Sequence, residues 1–216
     1  VSNPAGSAPL ASGELIVGEP IRCSVNAALG REAEYKIGPA ARRKKVVVIG
    51  GGPGGMEAAR VAALRGHQVT LYEKEDRLGG QLNLAVLPPH KEEIAPYVEY
   101  LKGQLQKLSV TVKLGVAVTP ALVQQALPNA VVVATGVAPL RPDIPGLRGA
   151  VTADEVLLGQ AVVGNKAVVI GGELVGCETA EFLADRGKQV TVTRRGPRMA
   201  TKMPLGIRLN LLTRLR

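Results

Sequence analysis

The chain has 216 residues, with 27 Lys and Arg against 18 Asp and Glu, giving a formal net charge of +9 at pH 7. Hydrophobic residues make up 46%, too many for a disordered segment, and the 26 Gly and 15 Pro follow no repeating period, which excludes collagen. Four Tyr, one Phe and no Trp leave too few rings for a base-stacking surface, and no apolar run approaches the ~20 residues of a membrane span.

Residues 1–44 read as an irregular, linker-like segment, with Pro4, Pro9, Pro20 and Pro39 among small residues. Its start, VSNPAGSAPLASGE, lacks the basic-then-apolar pattern of a signal peptide. Arg42-Arg43-Lys44-Lys45 is the only dense basic run, and it leads straight into an apolar strand, so it reads as a solvated face rather than a polyanion-binding patch. Cys23 and Cys177 lie far apart and make no disulfide framework. The expectation is a soluble, reduced, cytoplasmic protein with neither nucleic acid nor membrane as a partner.

From Lys45 the pattern changes. Val46-Val47-Val48-Ile49 is a β-branched run expected to be buried on both faces of a parallel sheet. It enters Gly50-Gly51-Gly52-Pro53-Gly54-Gly55 and then a helix expected over Met56 to Arg65, ended by Gly66. A strand follows at Gln68 to Tyr72, a helix over residues 91–107, a short strand at Val110 to Lys113, a short helix at Pro120 to Ala126 and another buried strand at Ala130 to Ala134. Residues 136–150, with three prolines, read as a linker.

The pattern then repeats. Lys166 to Gly172 (KAVVIGG) reads like Lys45 to Gly51, with a helix expected over residues 174–187 and a strand at Gln189 to Val192. This duplication of a β-turn-α-β unit is the main organisational fact of the chain. The expected architecture is α/β, with two Rossmann-like units on parallel sheets, the second inserted in the first. Leu205 to Arg216 reads as an amphipathic helix with no strand after it, the expectation for a fragment of a longer chain.

Gly50-x-Gly52-x-x-Gly55 sits directly after a strand and opens a helix, the context that makes this pattern informative. The first glycine permits the turn, the second lets the backbone approach a pyrophosphate, and the third allows helix and strand to pack closely. Pro53 and Gly54 lie within the turn and are counted with the site. Glu73 ends the second strand 23 residues after Gly50, placed to accept hydrogen bonds from the ribose hydroxyls of an adenosine, with Lys74 beside it. In Leu78-Gly79-Gly80-Gln81-Leu82, the glycines let backbone pass near the same pyrophosphate. Ala134-Thr135-Gly136 closes a strand where the chain must turn near a bound cofactor.

In the second copy, Gly171 and Gly176 hold the first and third positions, but Glu173 replaces the middle glycine. An anionic side chain stands where backbone would meet a pyrophosphate. In place of the ribose acid stands Arg194, followed by Arg195, residues that pair with a 2′-phosphate and favour NADPH over NADH. Two readings stay open: an NADPH-directed site with an unusual turn, or a fold-keeping copy that binds nothing. Cys177 opens the second helix, but a small buried packing role is expected rather than a reactive thiol. His67 and His90 stand singly, without metal-ligand spacing, and no metal site is expected. No catalytic residue announces itself, and no Cys-x-x-Cys follows the first motif.

The run VVVIGGGPGGMEAARVAALRGHQVTLYEKEDRLGGQLNLA resembles the flavin region of the 2,4-dienoyl-CoA reductase family, which includes trimethylamine dehydrogenase-like and enoate reductase-like members. AVVIGGELVGCETAEFLADRGKQVTV is similar to that family's nicotinamide segment, and LIVGEPIRCSVNAALGREAEY to the stretch joining its barrel to its flavin domain. The resemblance implies an FAD-binding unit over 45–145 and an NAD(P)H-binding unit over 146–216, which pass electrons to a barrel domain or subunit carrying FMN and a four-iron cluster. It implies that Gly50, Gly52, Gly55 and Glu73 bind the ADP half of FAD, that Gly80, Gln81, Thr135 and Gly136 line the remainder, and that Gly171, Gly176 and Arg194 belong to the NADPH side. The family's cluster ligands run Cys-x2-Cys-x3-Cys-x11-Cys. Cys23 matches the last, while the other three positions are Pro4, Ser7 and Ala11, none of which ligates iron. The expected function is an NAD(P)H-dependent electron-entry module of an ene-reductase-like flavin enzyme; the alternative is a non-catalytic module that holds ADP or FAD structurally and packs on a partner.

Overall fold

A computed structural model describes residues 23–203 and 205–215. The cluster-related positions Pro4, Ser7 and Ala11 lie outside the described residues. The chain divides into two units, one of Ala33–Ala85 with Glu93–Ala138, the other of Pro139–Arg216 with Val86–Glu92 and the described part of Val1–Glu32.

The first unit is built on a four-stranded parallel sheet. Its strands are β1 (Lys45–Ile49), β2 (Gln68–Tyr72), β3 (Thr111–Lys113) and β4 (Ala130–Val133), in the order β3-β2-β1-β4. Strand β1 is central, and its Val47 and Val48 are fully buried. Helices α1 (Pro53–Leu64) and α3 (Ile94–Lys107) supply Met56, Ala59, Val98, Leu101 and Leu105 to a core shared with Val46, Val48, Val69 and Leu71. Between them lies the single turn α2 (Leu82–Ala85), and α4 (Pro120–Ala126) precedes β4.

Helix α1 begins at Pro53, three residues before the expected start. Proline at the first helical position lacks only an N–H that has no partner there, and its fixed φ suits the helix. Strand β4 was expected to be buried on both faces and is not. Its residues alternate, with Val131 and Val133 exposed, because burying both faces of a strand needs a layer on each side.

The second unit carries the parallel pair β5 (Lys166–Ile170) and β6 (Gln189–Thr193), with helix α6 (Leu174–Ala184) between them in sequence. Here too the apolar run is half-exposed, with Val168 and Ile170 open to solvent. A 3-10 turn (Leu147–Gly149) and helix α5 (Ala153–Leu157) precede β5. The expected linker thus leads into a helix whose signal was present, the capping box of Thr152 and Glu155. Val156, Phe182 and Leu183 form one small core; Cys177, Ala200 and Leu211 form another, under helix α7 (Leu205–Arg214). Helix α6 ends at Ala184 rather than 187, and Gly187 completes the turn at φ +74°.

One ion pair and one histidine contact tie Val86–Glu92 to this second unit. Lys91 Nζ lies 2.6 Å from Glu178, and His90 Nε2 lies 3.9 Å from Glu181. Glu181 is 5% exposed and also takes a two-point pair from Arg214. These contacts hold α6, α7 and the 86–92 segment together.

Candidate functional site

The strand order turns back at β1: the connection from β1 runs to β2 on one side, while β4 pairs on the other. Ligands of open parallel sheets sit in the crevice that this reversal leaves at the carboxyl ends of the strands. The turn after β1, the loop after β2 and the loop after β4 all lie at that end.

At the β1 turn, Gly50 has φ +109°, and a Cβ on Gly55 would stand 1.8 Å from the Gly50 carbonyl oxygen. Only glycine permits helix and strand to approach this closely. Gly52 caps α1 with no side-chain hydrogen bond, and the first intrahelical bond runs from Met56 N–H to Gly52 carbonyl. Pro53 has no N–H, so Gly54 and Gly55 carry the helix's unpaired N–H groups, with no acid in the first turn to satisfy them. A Cβ on Gly54 would meet nothing within 4 Å. The result is an uncapped, positively polarised helix end bordered by bare backbone.

The other expected residues assemble around it. Gly79 N–H donates to Gly51 carbonyl at 2.9 Å, which brings Gly80 opposite Gly52; a Cβ on Gly80 would stand 2.8 Å from Gly52 Cα. The Gln81 amide donates to Val137 carbonyl at 3.2 Å, tying the β2 loop to the β4 loop. Ala134, Thr135 and Gly136 follow β4, where the Ala134 carbonyl packs on Gly50 and Gly136 adopts φ +71°. Glu73 is buried, its carboxylate accepting from Gly51 N–H at 2.5 Å and Glu75 N–H at 2.9 Å. It therefore holds the glycine turn to the end of β2. Lys74 points to solvent, 3.5 Å from Glu75. Gly79, the first of the glycine pair after Glu73, sets this arrangement at φ +121°.

The second turn repeats the frame. A Cβ on Gly176 would stand 1.7 Å from Gly171 carbonyl oxygen, and Ala200 N–H donates to Gly172 carbonyl as Gly79 does to Gly51. Its ligand-facing surface is different. Glu173 occupies the helix N-cap, and its carboxylate accepts from Thr201 Oγ1 at 2.8 Å and Lys202 N–H at 3.2 Å, while Arg194 Nη1 lies 3.0 Å away. The Thr201 hydroxyl, then the Lys202 N–H and the Arg194 charge, hold Glu173 below the usual carboxylate range. Arg194 lies across Gly172 and donates to Arg198 carbonyl. Thr201 and Lys202 stand where the first copy has Gly80 and Gln81, and counting on from Gly171 would have found them.

Cys177 is fully buried in the α7 core, and burial, with Glu173 and Glu178 nearby, pushes its thiol up, away from the reactive thiolate. His67 Nδ1 accepts from Lys44 N–H at a turn. Among the described residues no cluster of His, Cys, Asp and Glu is arranged to hold a metal, and no helix is long and apolar enough to cross a membrane.

A family model described as pyridine nucleotide-disulphide oxidoreductase matches residues 44–216. The chain belongs to that family. The domain of the pyridine nucleotide-disulphide oxidoreductases binds FAD and NAD(P)H. Cinnamate reductase of Clostridium sporogenes is 44% identical over 172 residues, covering 80% of this chain and 26% of that protein. NADH oxidase of Thermoanaerobacter brockii is 45% identical over 179 residues, covering 80% and 28%. A structure of 2-naphthoyl-CoA reductase with 2-naphthoyl-CoA superposes with a TM-score of 0.90 at 36% identity, covering 94% of this chain and 31% of that one. The chain thus spans between about a quarter and a third of the length of these relatives.

As dinucleotide sites the two turns fare differently. The first fits a dinucleotide: bare backbone at Gly52 and Gly80 flanks an uncapped helix end. The second, as it stands, does not. A carboxylate and a hydroxyl, bonded to each other, fill the corresponding space.

Proposed function

We propose that this chain is the FAD-binding, NAD(P)H-dependent electron-entry part of a larger ene-reductase-like flavin enzyme. The observation that carries the reading is the first turn, where two bare backbones face each other beside an uncapped helix end. The names of the relatives, cinnamate reductase and NADH oxidase among them, support this direction, as does the small share of their length that the chain spans. On this reading residues 45–145 carry the FAD side and 146–216 the nicotinamide side, inserted in the first. A barrel domain or subunit with FMN and an iron–sulfur cluster receives the electrons. The unbridged Cys23 and Cys177 support a reducing, cytoplasmic setting.

Bound FAD would supply the redox chemistry, taking hydride from a reduced nicotinamide and passing electrons on. The chain's own residues bind and orient. The Gly54 and Gly55 N–H groups donate to pyrophosphate oxygens, and Gly52 and Gly80 let those oxygens approach. Glu73 spends one acceptor site of each carboxylate oxygen on Gly51 and Glu75, and offers the remainder to ribose hydroxyls. Gln81, Ala134, Thr135 and Gly136 border the rest of the cofactor, and Lys74 places a positive charge at the mouth. Gly171, Gly176 and Arg194 frame the side assigned to the nicotinamide nucleotide, NADH or NADPH, which has Glu173 to contend with in the same turn.

A second reading, a module that holds FAD or ADP without catalysing electron entry, is favoured by one observation, the carboxylate of Glu173 in the second turn. The visible spectrum of the purified chain, followed by anaerobic NADH or NADPH, separates the two. Flavin bands that bleach support electron entry. Bands that persist support the structural module, and a chain that takes up no FAD overturns both.

A further inference from the structure

At the second turn the chain supplies its own anion. Gly52 and Gly80 of the first unit have Glu173 and Thr201 as their counterparts, and the two side chains hydrogen-bond at 2.8 Å across the space the two glycines leave bare. The carboxylate also takes Lys202 N–H at 3.2 Å and faces the Arg194 guanidinium at 3.0 Å. A hydroxyl, a backbone N–H and a guanidinium around one anion are the donor set of a phosphate site. Arg194, whose position favours pairing with a 2′-phosphate, is turned inward instead, packed on Gly172 and Gly196 and bonded to Arg198 carbonyl.

We propose that Glu173 is an internal substitute for a nucleotide phosphate, which closes the second turn to dinucleotides until the carboxylate is displaced. The proposal rests on reading the chain as a dinucleotide-binding module, and it makes nucleotide entry at the second turn an exchange of one anion for another. Phosphate oxygens meet like charge at Glu173, and they must also replace the carboxylate as the acceptor of its three donors. Glu173 retains partial solvent access, with its side chain 37% exposed, so it has a route out.

The test is isothermal titration of the full chain, in excess FAD, with NADH and separately with NADPH, comparing wild type with E173G and E173Q. FAD in excess keeps the nicotinamide nucleotides off the first turn. Removing the carboxylate is expected to tighten NADH or NADPH at least about tenfold, a modest figure for relief of like-charge contact near a protein surface. E173Q, which keeps the side chain's size, is expected to gain less than E173G and guards against a folding defect in the glycine variant; circular dichroism checks both. Wild type binding as tightly as both variants overturns the proposal. So does failure of both folded variants to gain affinity, since Glu173 would not then be what closes the turn. Flavin absorbance of the same chains after removal of free FAD reports the first turn by itself, so loss of the FAD reading is seen separately from loss of this one.

Discussion

Glu73 and Arg194 stand at the same step of the two repeats, each 23 positions past the first glycine of its turn, and each is bonded into the turn beside it. Glu73 grips Gly51 N–H through its carboxylate, whereas Arg194 reaches Glu173, a residue that has no side chain in the first copy. The acid supports a turn that stays open. The arginine supports a carboxylate that fills one.

Gly52 and Gly55 are expected to separate binding from folding. A Cβ at Gly52 meets its nearest neighbour at 3.9 Å, an ordinary contact, and its φ of −72° suits any residue. G52A should keep its melting temperature within about 1 °C while losing FAD affinity by tenfold or more. G55A puts a methyl 1.8 Å from a backbone oxygen and is expected to cost about 1–3 kcal/mol, read by chemical denaturation.

Glu73→Gln is expected to weaken both fold and site. The amide leaves two N–H donors, of Gly51 and Glu75, competing for one oxygen in a buried place, at a cost of about 1–3 kcal/mol. Urea denaturation of the FAD-free chain reads the first effect, and flavin fluorescence titration the second.

Arg214→Met removes the two-point partner of a carboxylate that is 5% exposed. Hydrogen bonds to charged groups are worth about 1.5–3 kcal/mol, so a loss of about 2 kcal/mol is expected. Adding Glu181→Gln should recover part of it, because the remaining buried group is then neutral. Denaturation midpoints of the single and double variants check this.

Glu155 gives a pH dependence. Thr152, through its backbone N–H and hydroxyl, and Arg141 hold this carboxyl below the usual range. A folded-state pKa lower than the unfolded one adds stability above the unfolded value, which is lost as pH falls through the folded value. Melting temperatures of wild type and E155Q should therefore differ at neutral pH and converge on acidification. A gap that stays constant down to pH 2 would contradict the capping-box account.

The repeated β-turn-α-β frame, the first glycine turn and the place of Glu73 were all legible in the order of the residues. These rest on local physics: β-branched runs, glycines whose backbone no other residue reproduces, and a spacing set by one strand and one helix. The duplication also exposed Glu173 as a misfit. Where that carboxylate goes depends on long-range packing. Thr201 and Lys202 are 28 and 29 residues away in the chain; the repeat register marks their positions but not the hydrogen bonds they give the carboxylate. Only the parallel pairing of β5 with β6 brings the β6 loop over the turn after β5. The same pairing sets Gly80 opposite Gly52 in the first unit. The half-exposed faces of β4 and β5 were equally out of reach, because an apolar run reports a strand's affinity for a neighbour and not whether a layer covers both of its faces.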